Sequence, residues 1–283
     1  MLLWMRCVMT KTHVVIPDTQ AKPGVPTDHL RWIGRYIVDQ FAGDEGVEVI
    51  HLGDHWDMAS LSSYDKGKKA MEGRRYVEDV AAGNDAFATL CEPLVAYNRR
   101  KAEGHHAQWW PGRWLLRGNH EDRITRATEN DAQLDGLLSL DDLASPGWTV
   151  SPFLEVLWLD GIGYSHFMAN PMTGRPHGGQ AATRLKTIGH SFTMGHQQTL
   201  DYALRFVGGR SQHGLIAGAC YLHDEDYKGP QGNAHWRGVI VCHQVEDGSY
   251  DPMMVSLDYL CRKYEGVRLA EFMAERYGID WKS

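Results

Sequence analysis

Three features of this 283-residue chain predict an α/β fold. β-Branched runs alternate with amphipathic helical stretches through its first 120 or so residues, the second half is rich in strands, and two Asp-Gly pairs sit between apolar runs. His13-Val14-Val15-Ile16 ends in Pro17-Asp18 and reads as a buried strand that delivers Asp18 at its carboxyl end. Beyond Pro26, Thr27 is placed to cap a helix on which Leu30, Ile33, Ile37, Val38 and Phe41 recur at helical spacing. Val47 to Leu52 is the next strand and runs into Gly53-Asp54. Strand, helix and strand in that order make a parallel pair. A long helical stretch follows from about Arg74 to Ala102. Trp114-Leu115-Leu116 is then a third strand, leading into Gly118-Asn119-His120-Glu121-Asp122.

The texture changes after Pro146. Phe153 to Leu159 and Ile162 to His166 flank Asp160-Gly161, and Val239 to Val245 and Tyr250 to Leu257 flank Asp247-Gly248. Asp-Gly suits a two-residue hairpin turn because both central positions take positive φ. Phe192-Thr193-Met194 is a short strand before Gly195-His196, while Ser62 to Arg75 and Asn170 to Gly179 read as exposed loops. No internal repeat or low-complexity tract divides the chain. It reads as one domain over 1–283, completed after residue 199 by further strands and a helix.

Composition narrows the class. With 43% hydrophobic and 23% charged residues the chain has enough apolar material for a sizeable core. A net charge of −7 without a long Lys/Arg run argues against a broad surface for duplex nucleic acid. Cys7, Cys91, Cys220, Cys242 and Cys261 are odd in number and show no CxxC spacing. They read as reduced thiols of a cytoplasmic protein. The apolar start MLLWMRCVMT is too short for a membrane span and lacks a cleavage site after a long apolar core.

Asp18, Asp54, Asn119, His166 and His196 each stand where an apolar run ends. Open α/β sheets gather ligands at the carboxyl ends of their strands, so these five side chains are expected on one edge. His177 and His190 are alternatives to His166, but only His166 ends a hairpin strand. The tryptophans Trp56, Trp109, Trp110 and Trp114 are read as packing residues rather than base-stacking platforms. The polar cluster His223, Asp224, Glu225 and Asp226 is read as loop.

The order Asp18-Thr19-Gln20, Gly53-Asp54-His55-Trp56-Asp57, Gly118-Asn119-His120-Glu121, His166 and Gly195-His196-Gln197-Gln198 resembles the calcineurin-like metallophosphoesterases, and phage and bacterial members in particular. The resemblance runs from about Asp18 to Gln198. It implies a four-layer αββα sandwich of two mixed sheets and a centre of two divalent cations. By that resemblance Asp54 bridges both ions; Asp18, Gln20 and Gln198 complete the first site, and Asn119, His166 and His196 the second. His120 becomes the general acid and Asp57 the group that orients it. Paired cations of this kind polarise a phosphoryl group and make hydroxide available near neutral pH.

Two departures shape the expectation. Gln20 and Gln198 stand where the family pattern has histidine, and carboxamide oxygens shift the first site towards Mn²⁺, with Mg²⁺, Fe²⁺ or Zn²⁺ as other candidates. Met58 stands where the protein phosphatase branch has an arginine. A dianionic monoester then lacks a clamp, which points to phosphodiesters such as cyclic nucleotides or nucleic-acid-derived diesters. A non-catalytic scaffold, a small exonuclease and a phosphomonoesterase are the other readings.

Overall fold

The computed structural model describes residues 11–225 and 228–281; the apolar start with Cys7, and Asp226, lie outside them. The chain is mixed α/β and builds two mixed sheets. Strands β1 (Lys11–Ile16), β2 (Val47–His51), β3 (Gly112–Leu116) and β4 (Thr149–Ser151) are parallel neighbours in that order. β10 (Gly238–Glu246) and β11 (Ser249–Ser256) add antiparallel strands beyond β1. The second sheet has the order β5-β6-β7-β9-β8, made from Leu157–Leu159, Ile162–Ser165, Phe192–Met194, Arg210–Ala217 and Leu200–Val207.

Alternation along the strands decides what each face meets. In β1, Val14 and Ile16 pack with Leu30, Ile33 and Ile37 of helix α1 (Asp28–Phe41), and with Ala86 and Leu90 of α2 (Tyr76–Glu103). The same cluster takes in Leu260 of α6 (Leu257–Glu265) and Phe272 of α7 (Leu269–Tyr277). Val15 points the other way and joins Ile50, Leu116, Ile240 and Cys242 against Ile162, Tyr164, Leu215 and Ala217 of the second sheet. That sheet's far face buries Phe192, Met194 and Ile216 against Ala181 and Leu185 of α4 (Ala181–Ile188). The sheets therefore face one another, with helices outside each.

Both Asp-Gly pairs form hairpin turns, with φ of 48° and 82° at Asp160 and Gly161 and the same two values at Asp247 and Gly248. The turns also touch: the Gly248 amide donates to the Asp160 carbonyl at 2.8 Å, and Ser191 Oγ donates to the Gly248 carbonyl at 2.6 Å. Nearby, His13 Nδ1 lies 2.7 Å from the Tyr164 hydroxyl and Nε2 lies 3.0 Å from Asp160 Oδ2, a polar tie between the sheets.

Three local expectations change. Phe153 to Val156 is not strand, because Leu154 takes φ 67° and breaks the extended backbone; β5 begins only at Leu157. Leu257 opens α6 rather than closing β11, with Ser256 Oγ accepting from the Tyr259 amide at 3.1 Å as the cap. Thr27 is the N-cap of α1 by position, but its side chain makes no capping bond; its carbonyl accepts from the Leu30 amide at 3.0 Å.

His29 on α1 is fully buried, and its Nε2–H donates to the Cys220 carbonyl at 3.0 Å. Burial pushes this imidazole down to about 3, against the pull of that carbonyl, and pushes His13 and His55 down to about 4. A histidine held below its ordinary value contributes stability that is complete above about pH 6.5 and is lost as pH falls through the folded value. The share of the unfolding free energy that these three histidines contribute should therefore be level above pH 6.5 and decline from there towards pH 4. Urea denaturation across that range should show a shallower decline for His29→Gln than for the parent; identical slopes would remove His29 from this account.

Candidate metal centre

The carboxyl ends of β1, β2, β3, β6 and β7 meet where the two sheets face each other. Beyond β1 the chain pairs with the loop after β2: the Gln20 amide donates to the Asp54 carbonyl at 2.8 Å and the Ala21 amide to the His55 carbonyl at 2.7 Å. Gly118 permits the β3 loop to approach, since a Cβ there would lie 2.1 Å from Asp54 Oδ1. Gly195 does the same for the β7 loop, where a Cβ would lie 2.3 Å from Asp18 Oδ1. Glu121 fixes the junction. Its buried carboxylate accepts from the amides of Asp54 (3.1 Å), His55 (2.6 Å), Trp56 (3.0 Å) and Gly118 (2.7 Å). Burial and the charge of Asp54 raise this carboxyl, yet a proton on it would turn an O–H against one of four N–H donors, so the ionised form fits the geometry.

Within this frame the ligand atoms of Asp54, His166 and His196 lie within 4.8 Å of one another. His166 Nδ1–H donates to the Leu52 carbonyl at 2.9 Å, which fixes the tautomer and turns Nε2 towards the centre. That Nε2 lies 3.2 Å from Asp54 Oδ2 and 2.9 Å from Asn119 Oδ1, and the same carboxamide oxygen is 2.7 Å from His196 Nδ1. Asp18 is buried beside them and accepts from the His196 amide at 3.1 Å through both oxygens. Four of these residues carry strained backbone: Gln20, Asp54, His196 and Gln198 have φ of 40°, 48°, 68° and 60°. Such conformations cost of order 1–3 kcal/mol each and cluster at functional sites.

Burial, reinforced by Asp54 and opposed by His166, pushes the Asp18 carboxyl up to about 7. Burial would likewise raise Asp54, but His120 and His166 hold it well below the usual carboxylate range. His166 is held at about 10, because Asp54 and Asp18 outweigh the burial that disfavours its charge. One carboxylate, one carboxamide oxygen and two imidazoles from Asp54, Asn119, His166 and His196 are a donor set that fits a divalent cation. The expected first site is only partly assembled. Gln20 Oε1 is buried without a hydrogen-bond partner, as an oxygen meant for a cation would be. Gln198 Oε1 instead accepts from the Tyr221 hydroxyl at 3.0 Å and from the Lys228 ammonium.

The His120–Asp57 pair lies against this group. His120 Nδ1 is 2.7 Å from Asp57 Oδ1, and Nε2 is 3.7 Å from Asp54 Oδ2. Burial disfavours the His120 cation, but Asp54 and Asp57 raise it above its ordinary value. Asp57 is in turn held by Lys22, whose Nζ is 3.3 Å from Asp57 Oδ2 and 2.9 Å from Glu225 Oε1; His223 Nε2 is 2.9 Å from that same oxygen. The 223–225 stretch is loop, as expected, but it is wired into the centre.

Lys22, Glu121, Arg123 and Glu225 are the site residues that sequence reasoning did not assign. Arg123 had a signal, three residues beyond His120 at the start of α3 (Asp122–Asn130). The other expectations hold different positions. Trp56 is buried and stacked on Phe87, with ring centroids 5.6 Å apart, and Trp109 and Trp114 donate to the Asp44 carbonyl and to Glu48. Trp110 is 44% exposed with the Arg113 guanidinium over its ring. His190 Nδ1 lies 2.9 Å from the Ser191 carbonyl, leaving His166 as the histidine of the group.

No family model matches the chain, and no curated protein matches it. Among the described residues no helix is long and apolar enough to cross a membrane.

Glu121→Ala would leave four buried amides without their acceptor, at about 1–3 kcal/mol each. The variant should lose several kcal/mol of stability, and its affinity for Mn²⁺ should fall with it. Urea denaturation together with calorimetric Mn²⁺ titration checks both, and parent-like stability would show that the two loops are held by something else.

Proposed function

We propose that the protein is a metal-dependent hydrolase of phosphate esters with a metallophosphoesterase-like αββα sandwich. One observation carries the reading: the His120–Asp57 pair, the arrangement of a general acid and its orienting carboxylate, stands 3.7 Å from the carboxylate that also serves the ligand group. A purely structural metal site has no use for a proton donor at that place. The resemblance of the ordered motif blocks, with a second site at Asp18, Gln20, Asp54 and Gln198, supports two ions and a preference for Mn²⁺ within the same proposal.

Divalent cations bound here would supply Lewis-acid polarisation of the phosphoryl group and hydroxide near neutral pH. The chain's own residues do the rest. The Leu52 carbonyl orients His166 through Nδ1–H, and His166 Nε2 and His196 Nδ1 both converge on Asn119 Oδ1, so the donors that a cation would draw on stand together. Asp57 accepts Nδ1–H and keeps Nε2 of His120 on the side of Asp54. From there Nε2–H gives its proton to the departing ester oxygen as an oxygen from water bonds to phosphorus and the ester P–O bond breaks, leaving an alcohol and a phosphate. Against its burial, His120 foremost and then Lys22 and Arg123 keep Asp57 ionised for that task.

The purified protein should hydrolyse aryl phosphate esters with added Mn²⁺ and stop in excess chelator. Asp54→Ala should lose both metal binding and turnover; near-normal turnover of this variant in metal-replete buffer would end the proposal.

His120→Ala should keep its metal and lose roughly 10²–10⁴ in turnover on alkyl esters, the usual share of a general acid. The loss should shrink on nitrophenyl esters, whose leaving groups need little protonation. Equal losses on both would assign His120 a different role.

A further inference from the structure

We propose that Arg123 is a ligand of the substrate's phosphoryl oxygens, and that it makes phosphomonoester dianions substrates of this centre. The inference rests on the phosphoesterase reading for the word substrate, but its core, a phosphate contact at Arg123, does not.

Met58, the residue whose side chain cannot grip an anion, is fully buried and in the left-handed region at φ 49°. Its carbonyl faces Arg123. The guanidinium sets NH1 on the carbonyls of Asp57 at 2.8 Å and Met58 at 3.3 Å, and NH2 lies 3.0 Å from His120 Nε2. The cation absent from the side chain at position 58 is thus supplied from α3 and anchored by the backbone at that position.

This placement combines fixity with access. The NH1 contacts hold one edge of the fork against the loop, while the side chain stays 13% exposed. NH2 flanks the same imidazole nitrogen that Asp54 Oδ2 approaches at 3.7 Å. An ester oxygen within reach of that nitrogen and of the ligand group is therefore within reach of NH2. An anionic phosphoryl oxygen is a stronger acceptor for a guanidinium than an imidazole nitrogen, and Nε2 accepts nothing while it carries the proton for the leaving group, so the contact with His120 is one that a phosphate can take over. Lys22, the other cation beside His120 and Asp57, lies between two carboxylates, Asp57 and Glu225, whereas Arg123 meets one, Asp57 Oδ1 at 3.7 Å from NH1.

The charge count sets the substrate class. A monoester dianion carries one negative charge more than a diester, and a fixed guanidinium beside the leaving-group acid favours it. Met58 leaves its own position without a cation, and Arg123 reaches that position from α3.

The test uses the whole chain loaded with Mn²⁺, in the variants Arg123→Gln and Arg123→Lys, with inorganic phosphate as the probe. Arg123→Gln should weaken phosphate binding, read by calorimetry, roughly 10- to 100-fold, the worth of one charge-assisted contact. Arg123→Lys should recover part of it. kcat/KM for nitrophenyl phosphate should fall by a similar factor, and that for bis(nitrophenyl) phosphate much less. Unchanged phosphate affinity in a folded, Mn²⁺-binding Arg123→Gln would overturn the phosphate contact; equal losses on the two esters would overturn the monoester assignment. A parent protein that hydrolyses neither ester, yet binds phosphate in an Arg123-dependent way, would sink the hydrolase reading while upholding the contact. If the glutamine variant does not fold, phosphate binding as tight in Arg123→Lys as in the parent overturns the contact, and weakened binding upholds it.

Discussion

One buried carboxylate holds the centre together. Glu121 accepts the amides of Asp54, His55, Trp56 and Gly118, and so ties the loop after β2 to the loop after β3. Backbone N–H groups cannot be left bare in such a place, and Glu121 meets that demand with one side chain that is neither ligand nor acid. Asp54 keeps its left-handed backbone because its amide is spoken for on one side and its carbonyl takes the Gln20 amide on the other. Once Asp54 is fixed, the His120 amide finds Asp54 Oδ1 at 2.9 Å, and the imidazole of His120 is brought to Asp57.

The charges then fall into two neighbouring groups that share Asp54. On one side Asp18 and Asp54 face His166 and His196; on the other Asp57 faces His120, Lys22 and Arg123. Opposite signs offset one another in both groups, but by different means. The acid pair is balanced by the chain's own lysine and arginine, fixed by hydrogen bonds. The ligand group relies on protons held far from their ordinary values, with Asp18 pushed up to about 7 and His166 to about 10. That difference leaves the positive charge of the first group on an imidazole and that of the second on a lysine and an arginine.

The parallel core was legible because buried strands and amphipathic helices leave strong periodic traces. Both Asp-Gly hairpins were legible too, because positive φ at two successive positions selects those residues. Helices α3 and α4 and the pair β8 and β9 escaped notice. α3 is mostly polar, with Ile124 its buried residue, and β8 alternates too weakly to mark a face. At the site, Asp18, Asp54, Asn119, His120, His166 and His196 announced themselves at strand ends. Lys22 and Glu225 could not, since the contact between them joins residues 203 positions apart and nothing local predicts it. Gln198 Oε1 meets Tyr221 and Lys228, which come from a stretch that carries no ligand spacing.

The contact between the two hairpin turns has an architectural consequence. Asp160 and Gly248 are joined at the ends of β6 and β10 that lie away from the metal centre, and the His13, Tyr164 and Asp160 tie reinforces that end. The sandwich is bound like a book along a spine, and its fore-edge is where the ligand loops lie. Segments 62–75 and 170–179, largely exposed, leave the frame away from that spine. Insertions or exchanges in them would leave the spine's hydrogen bonds intact, so a lineage carrying this frame can rewrite its page edges and keep its binding.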